Sequence, residues 1–289
     1  MELVDAQLHA YERDSPERPW DPNYGRGGTA ARVRAAMASH VVTDEYLLAM
    51  MEAVGVDAAV LVNPSIYGWD NSYSLELAER HPGRFGVVGL VDPAAPDVDE
   101  KLAGWRDQPG ALGVRVVILS EEHERRLEAG GYEPIFAAAE RHGVPVLLFT
   151  PRLLRVVGTI ARAHADLQLV VDHLGLVQPP LMEPEEDRFA DLPQLLALGE
   201  LENVAVKCTG APTLSREPYP FSDLWPHLER VIEAFGPERV MWGSDITRVQ
   251  GMHTYCEAAS FMRHTDQLSA DEKALVMGAS LRRLLRWPA

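Results

Sequence analysis

Leu3-Val4-Asp5-Ala6-Gln7-Leu8-His9 runs straight into Ala10-Tyr11-Glu12-Arg13-Asp14, and the reading of that junction decides the fold. The first seven residues make a short, largely apolar run bounded by polar residues, the pattern of a buried strand. A doubly wound nucleotide-binding sheet places a glycine-rich phosphate loop after its first strand. No such loop follows here.

Seven further runs of the same kind lie downstream: Val56–Asn63, Phe85–Asp92, Leu112–Ile118, Val144–Thr150, Gln168–Gly175, Val204–Thr209 and Val240–Asp245. Helical patterns separate them, at Asp44–Val54, Ser72–Arg80, Val98–Trp105, Tyr132–Arg141, Leu153–Ala165, Asp191–Leu198 and Leu224–Phe235, with Cys256–His264 and Asp271–Arg286 closing the chain. Strands that alternate with helices pair in parallel through crossovers, with both faces covered. Eight such units in a chain of 289 residues predict an α/β fold of one domain over 1–289, a single (β/α)8 TIM barrel.

Three connections on the strand-exit side are long: Tyr11–His40 (with Trp20, Tyr24 and Arg26), Gln178–Arg188 (with Pro179, Pro180 and Pro184) and Thr209–Ser222. Barrel active sites are built on that side, so each is a candidate lid or specificity loop.

With 27 Lys+Arg against 43 Asp+Glu the formal charge is −16, a surface that repels phosphate backbones and anionic lipid. Nucleic acid and membrane are therefore not expected partners, and a small-molecule substrate is. A homo-oligomer is compatible with the Trp- and Tyr-rich segments. The two cysteines, Cys208 and Cys256, have no CxxC spacing, which argues against a disulfide framework or zinc ribbon. No signal-like start and no apolar run of about 18 residues is present, so the expected compartment is the cytoplasm.

Strand residues alternate between faces, which lets the interior be counted off. Gln7 and His9 share the inward face at the exit of strand one; Arg115 ends an inward row with Gly113. Phe149 stands at the exit of strand five, His173 ends strand six in Asp172-His173-Leu174-Gly175, and strand eight finishes as Trp242-Gly243-Ser244-Asp245. By the same parity Asp172 faces away from the pocket. Polar and titratable groups gathered at one rim of different strands are not a product of core packing.

With Asp5–His9, Asp172–Gly175 and Trp242–Asp245 in this order, the chain resembles the amidohydrolase superfamily, in the branch of 2-pyrone-4,6-dicarboxylate lactonase and sugar lactonases. The likeness extends over nearly the whole chain. It implies a hydrolase of a lactone or similar activated ester, with Asp245 as the base for water. Two departures stand out: the family's first strand-one histidine is Gln7 here, and its strand-five histidine falls at or near Phe149. A glutamine amide is a poor zinc ligand and a phenyl ring is none. The expected site is thus metal-free, requiring no cofactor; the alternative is one divalent metal, zinc first, on His9, His173 and Asp245.

Without a metal, the carbonyl oxygen must meet hydrogen-bond donors, for which His9, His173 and Gln7 are the candidates. Arg115 suits a substrate carboxylate because its planar fork makes two parallel hydrogen bonds. Arg152, Lys207, Arg248, Tyr24 and Trp20, with Phe149, are the remaining candidates for the pocket. Each has a structural alternative. His173 would be a core histidine, Asp245 a cap or turn residue and Gln7 a brace of the barrel floor. Arg115 would pair with an internal acid such as Asp92, and Lys207 would belong to a structural ion pair. Two other activities stay open: a metal-dependent nonoxidative decarboxylase, and a barrel turned to isomerisation or cyclisation in biosynthesis.

Overall fold

Eight strands pair in parallel in chain order: β1 (Val4–Leu8), β2 (Ala58–Val62), β3 (Phe85–Leu90), β4 (Ala111–Val117), β5 (Val146–Phe149), β6 (Leu169–Val171), β7 (Val204–Thr209) and β8 (Val240–Gly243). This is the computed structural model of the chain, and it describes all residues except Arg26, Gly27, Ser120, Pro180, Glu183, Pro184 and Ala289, with only the backbone at 28–30. Three residues named above, Arg26, Pro180 and Pro184, therefore lie outside the described residues.

Past β8 the chain turns back onto β1: Asp245 N donates to Gln7 O at 3.1 Å, and Ser244 N donates to Asp5 Oδ1 at 2.9 Å. The sheet is thereby nearly closed, a (β/α)8 barrel with helices between the strands. Its interior fills from below with Val4, Ala58, Val60, Val170, Ala205 and Met241, and Trp287 and Leu281 of the C-terminal segment plug that end. Such a dry lower half leaves the upper half as the place where polar side chains can meet.

Two irregularities decide what reaches the upper half. The β1–β2 register shifts between Asp5 and Leu8, so strict alternation fails. Ala6 packs with the interior valines, and its neighbour Gln7 also enters the interior cluster. The second concerns strand six, expected to run through Gly175. It stops at Val171, and His173, Leu174 and Gly175 follow with φ of 56°, 60° and 64°. A left-handed turn abolishes parity. Asp172, two residues beyond the interior Val170, points inward, contrary to the expectation that counted from His173, and the turn brings His173 in beside it.

Tyr11–His40, expected as an open connection, contains the helix Gly28–Ala38, and a further helix occupies Glu121–Glu128. No helix among the described residues is long and apolar enough to cross a membrane.

Candidate active site

A closed ring of five side chains lies beneath the barrel mouth. Arg115 on β4 donates from Nε to Asp172 Oδ2 at 2.6 Å. Lys207 on β7 lies with Nζ 2.8 Å from Asp172 Oδ1 and donates to Gln7 Oε1 at 2.6 Å. Gln7 Nε2 stands 3.3 Å from His173 Nε2, and Arg115 Nη2 closes the ring at 3.3 Å from the same nitrogen. All five are buried.

The chemistry of the members fixes the direction of every bond. Arginine and lysine only donate, and an ionised carboxylate only accepts. Lys207 therefore identifies the near atom of Gln7 as its carbonyl oxygen, which turns the amide N–H toward His173. Met by two donors, His173 Nε2 is an acceptor, and its proton sits on Nδ1, 2.9 Å from Thr209 Oγ1 and 3.3 Å from Thr209 O. Burial, with the nearby guanidinium groups, pushes the His173 imidazole down to about 3 despite Asp245 and Asp172, so it is neutral. Burial alone would raise the Asp172 carboxyl, but Lys207 and Arg115 hold it well below the usual carboxylate range.

Above the ring, Asp245 Oδ1 lies 3.3 Å from His9 Nε2, and Asp245 Oδ2 is 3.8 Å from His173 Nδ1. The two imidazoles and the carboxylate thus converge. His9 Nδ1 donates to Val62 O at 2.8 Å, which leaves Nε2 facing the carboxylate and, at 3.5 Å, the Gln7 amide nitrogen. The other oxygen of Asp245 takes the Nε of Arg248. Burial opposes ionisation of Asp245, but the Arg248 guanidinium outweighs it, and the carboxyl sits well below its ordinary range.

Arg248 spends the rest of its fork on the rim, donating to Pro179 O at 2.6 Å and Gln178 Oε1 at 2.8 Å. Gln178 in turn donates to Thr209 O at 3.0 Å. A Cβ on Gly210 would come within 2.9 Å of Arg248 Nη2, and Gly210 has φ of 64°, so only glycine suits this close approach.

Phe149 contacts both the ring and the opening: its ring packs edge-on to His173 at 4.9 Å and lies under the Arg115 guanidinium at 4.9 Å. Phe149, His9 and Arg248 are the partly exposed members; Asp245 and the ring residues lie deeper. Tyr24 is close enough to Arg115 to feel its charge, while burial raises its phenol. Trp20 is used inside its own segment, its indole donating to Glu12 O at 3.0 Å with Arg34 over the ring. Arg152 is half exposed and reaches Glu186 at 2.5 Å, tying the β5 and β6 connections. Arg115 pairs with Asp172, rather than Asp92, and Lys207 is in the same ion-paired group.

Three polar residues of the site escaped the sequence reading. Thr247 Oγ1 accepts from His9 N at 2.9 Å, Thr209 holds His173, and Gln178 holds Arg248. Thr209 carried a usable signal, since it continues the inward row Ala205, Lys207 on β7.

For a divalent metal, several ligand atoms of these side chains are already engaged. Among the described residues no three His, Cys, Asp or Glu side chains gather as such an ion requires. His173 Nε2 already faces a guanidinium, Asp245 Oδ2 is taken by Arg248, and Phe149 offers no ligating atom. A cation placed there would abut Arg115 and Arg248.

The family model described as amidohydrolase matches residues 4–287. A 4-sulfomuconolactone hydrolase of Hydrogenophaga intermedia is 30% identical over 205 residues, covering 70% of this chain and 64% of the relative's length. An L-fucono-1,5-lactonase of Burkholderia multivorans is 29% identical over 300 residues, 99% of this chain and 96% of its own. A crystal structure of a Burkholderia multivorans amidohydrolase with bound HEPES superposes with a TM-score of 0.80 at 25% identity, with 100% of both chains covered.

Proposed function

Because this chain belongs to the amidohydrolase family and is an enzyme of that superfamily, we propose that it opens a lactone, or a similarly activated ester, of a small carboxylated metabolite without a metal. Two relatives bear the names of lactone-opening hydrolases. The observation that carries the reading is the pair Asp245 Oδ1 and His9 Nε2, 3.3 Å apart at the mouth. With Nδ1 of His9 committed to Val62, both atoms offer lone pairs to the same space. A water above them can donate one O–H to each, which aims its own lone pair outward at a carbonyl carbon.

In this mechanism the water oxygen bonds to the carbonyl carbon while Asp245 takes its proton. A base so placed contributes roughly 10²–10⁴-fold. Asp245 is fully ionised but weakly basic, and His9 beside it shares the load by stabilising the proton on Oδ1. The negative charge that gathers on the carbonyl oxygen is met by the second N–H of Gln7. His173, an acceptor at Nε2, serves to hold Gln7 and Arg115 rather than to donate. When the tetrahedral intermediate collapses, the ring oxygen leaves with the proton from Asp245, and the product is a hydroxy acid. Arg115, with Tyr24 nearby, is the group for the substrate carboxylate.

The test is ring opening of a panel of carboxylated lactones by freshly purified protein, with and without chelator, alongside elemental analysis. Turnover that a chelator leaves unchanged, in protein with far less than one metal per chain, is the expected result. Activity lost on chelation and restored by zinc or manganese would overturn the metal-free part. Turnover of none of the panel would overturn the lactone reading itself.

A further inference from the structure

Lys207 takes no part in the steps set out above, yet it is 1% exposed and makes two short polar contacts. Removing an ammonium from water is costly unless it gains good partners. What it gains is informative. One partner, Asp172, also binds Arg115; the other is the carbonyl end of a neutral amide.

A glutamine amide is nearly symmetric in shape, and exchanging its ends turns a donor into an acceptor. For Gln7 that exchange decides what the gap beside His9 meets. With Nε2 toward the imidazoles, a carbonyl oxygen arriving there finds an N–H; with Oε1 there, it finds another lone pair and is repelled. His173 Nε2 favours the first arrangement, but it is a neutral acceptor already engaged by Arg115. Lys207 removes the choice, because Nζ can only donate. A hydrogen bond at one end of an amide also polarises it, strengthening the N–H at the other.

We propose that Lys207 is a positioning residue for the hydrolytic reaction, fixing the Gln7 amide with its N–H toward the barrel mouth and delivering its positive charge to the oxyanion through that amide. Asp172 sets Lys207 in place from one oxygen and Arg115 from the other, so the ring behaves as one unit. Two cations against one carboxylate leave the ring with one net positive charge, facing the place where the reaction creates a negative one. This rests on the lactone-opening reading above.

The test is a double-mutant cycle on kcat and KM with one hydrolysed lactone, using Gln7→Met, Lys207→Met and the double variant. Gln7→Met should lower kcat on the order of 10²–10³-fold, the effect of one oxyanion donor. Lys207→Met should lower kcat at least tenfold with KM little changed, and should add almost nothing once Gln7 is already Met. An equal loss from Lys207→Met in both backgrounds, or none in either, would overturn the proposal, since a purely structural lysine acts regardless of residue 7. If Lys207→Met does not fold, Lys207→Gln takes its place in the same cycle. A second measurement needs no substrate: in protein labelled with ¹⁵N-glutamine, the Gln7 side-chain protons should show contacts to the His9 and His173 rings, and Lys207→Met should weaken them. Contacts unchanged by the substitution would sink the positioning role, whereas an inactive wild type with those contacts would sink only the lactone reading.

Discussion

Asp5 and Asp245 are both completely buried, sit on neighbouring edges of the β8–β1 seam, and differ in every electrostatic respect. Asp5 meets neutral donors: Gln7 N at 3.0 Å, Ser244 N at 2.9 Å and the Ser244 hydroxyl. Burial pushes its carboxyl up to about 6, more than those hydrogen bonds can offset. Asp245 meets Arg248 and His9, and its carboxyl falls below the usual range. Equal burial with opposite outcomes means that partners, not depth, decide which way a buried carboxyl shifts. Only Asp245 has an oxygen facing the mouth. The first is a strap for the seam; the second is a chemical group.

The largest effect expected from this contrast is on Asp245. Asp245→Asn keeps the shape and the Arg248 contact but removes the base, and kcat should fall roughly 10²–10⁴-fold while product-acid binding stays within a few-fold. Near-normal turnover would erase the distinction between the two aspartates. Asp5→Asn, measured beside it, should leave kcat close to that of the parent.

Arg115→Met acts on the ring. It strips one of two cations from Asp172, and breaking a buried pair in this way costs on the order of 3 kcal/mol. Thermal unfolding should show that loss, and the KM for a carboxylated lactone should rise at least tenfold. A lowered midpoint with unchanged KM would confine Arg115 to holding the ring together, and the carboxylate clamp would then be wrong.

Much of this was legible in the chain itself, and the failures share a cause. Strand runs such as Val204–Thr209 announce themselves because parallel barrel strands are buried on both faces and need apolar side chains throughout. His9, Gln7 and Asp245 were found together because strand ends are fixed by those runs. Asp172 was misplaced because the count took His173 as the inward residue, whereas parity from the interior Val170 turns Asp172 inward and a left-handed turn at His173, Leu174 and Gly175, two of them not glycine, brings His173 in as well. Arg248, read as a group for substrate, instead has Nε and both terminal nitrogens bound to protein. Nothing local in Thr247-Arg248-Val249 reveals that, since Pro179 and Gln178 come from the other side of the mouth. The helix Gly28–Ala38 follows a Pro- and Gly-rich stretch that reads as loop, although its own alanine-rich sequence favours helix.

The smallest effect separates the two aspartates through pH. A carboxyl held near 6 in the folded chain and near 4 when unfolded binds its proton more tightly in the folded state. Its contribution to stability is therefore complete below about pH 4 and disappears as pH rises through 6, a change of at most about 3 kcal/mol for two pKa units. Asp245 and Asp172, held low, contribute in the opposite sense: their stabilisation is present above the usual carboxylate range and is lost as pH falls below that range toward their depressed folded values. Tyr255, whose phenol burial pushes well above its ordinary value, stays neutral across this window. In Asp5→Asn the amide oxygen can still accept from Gln7 N and Ser244 N, both of which use Oδ1, so the seam should close as before. Between pH 4 and 6 the denaturation midpoint of the variant should rise relative to the parent, because the parent alone must ionise a buried group that has only neutral partners. A difference that stays constant over that interval would show that Asp5 is ionised throughout, and the contrast between the strap and the base would then rest on geometry alone.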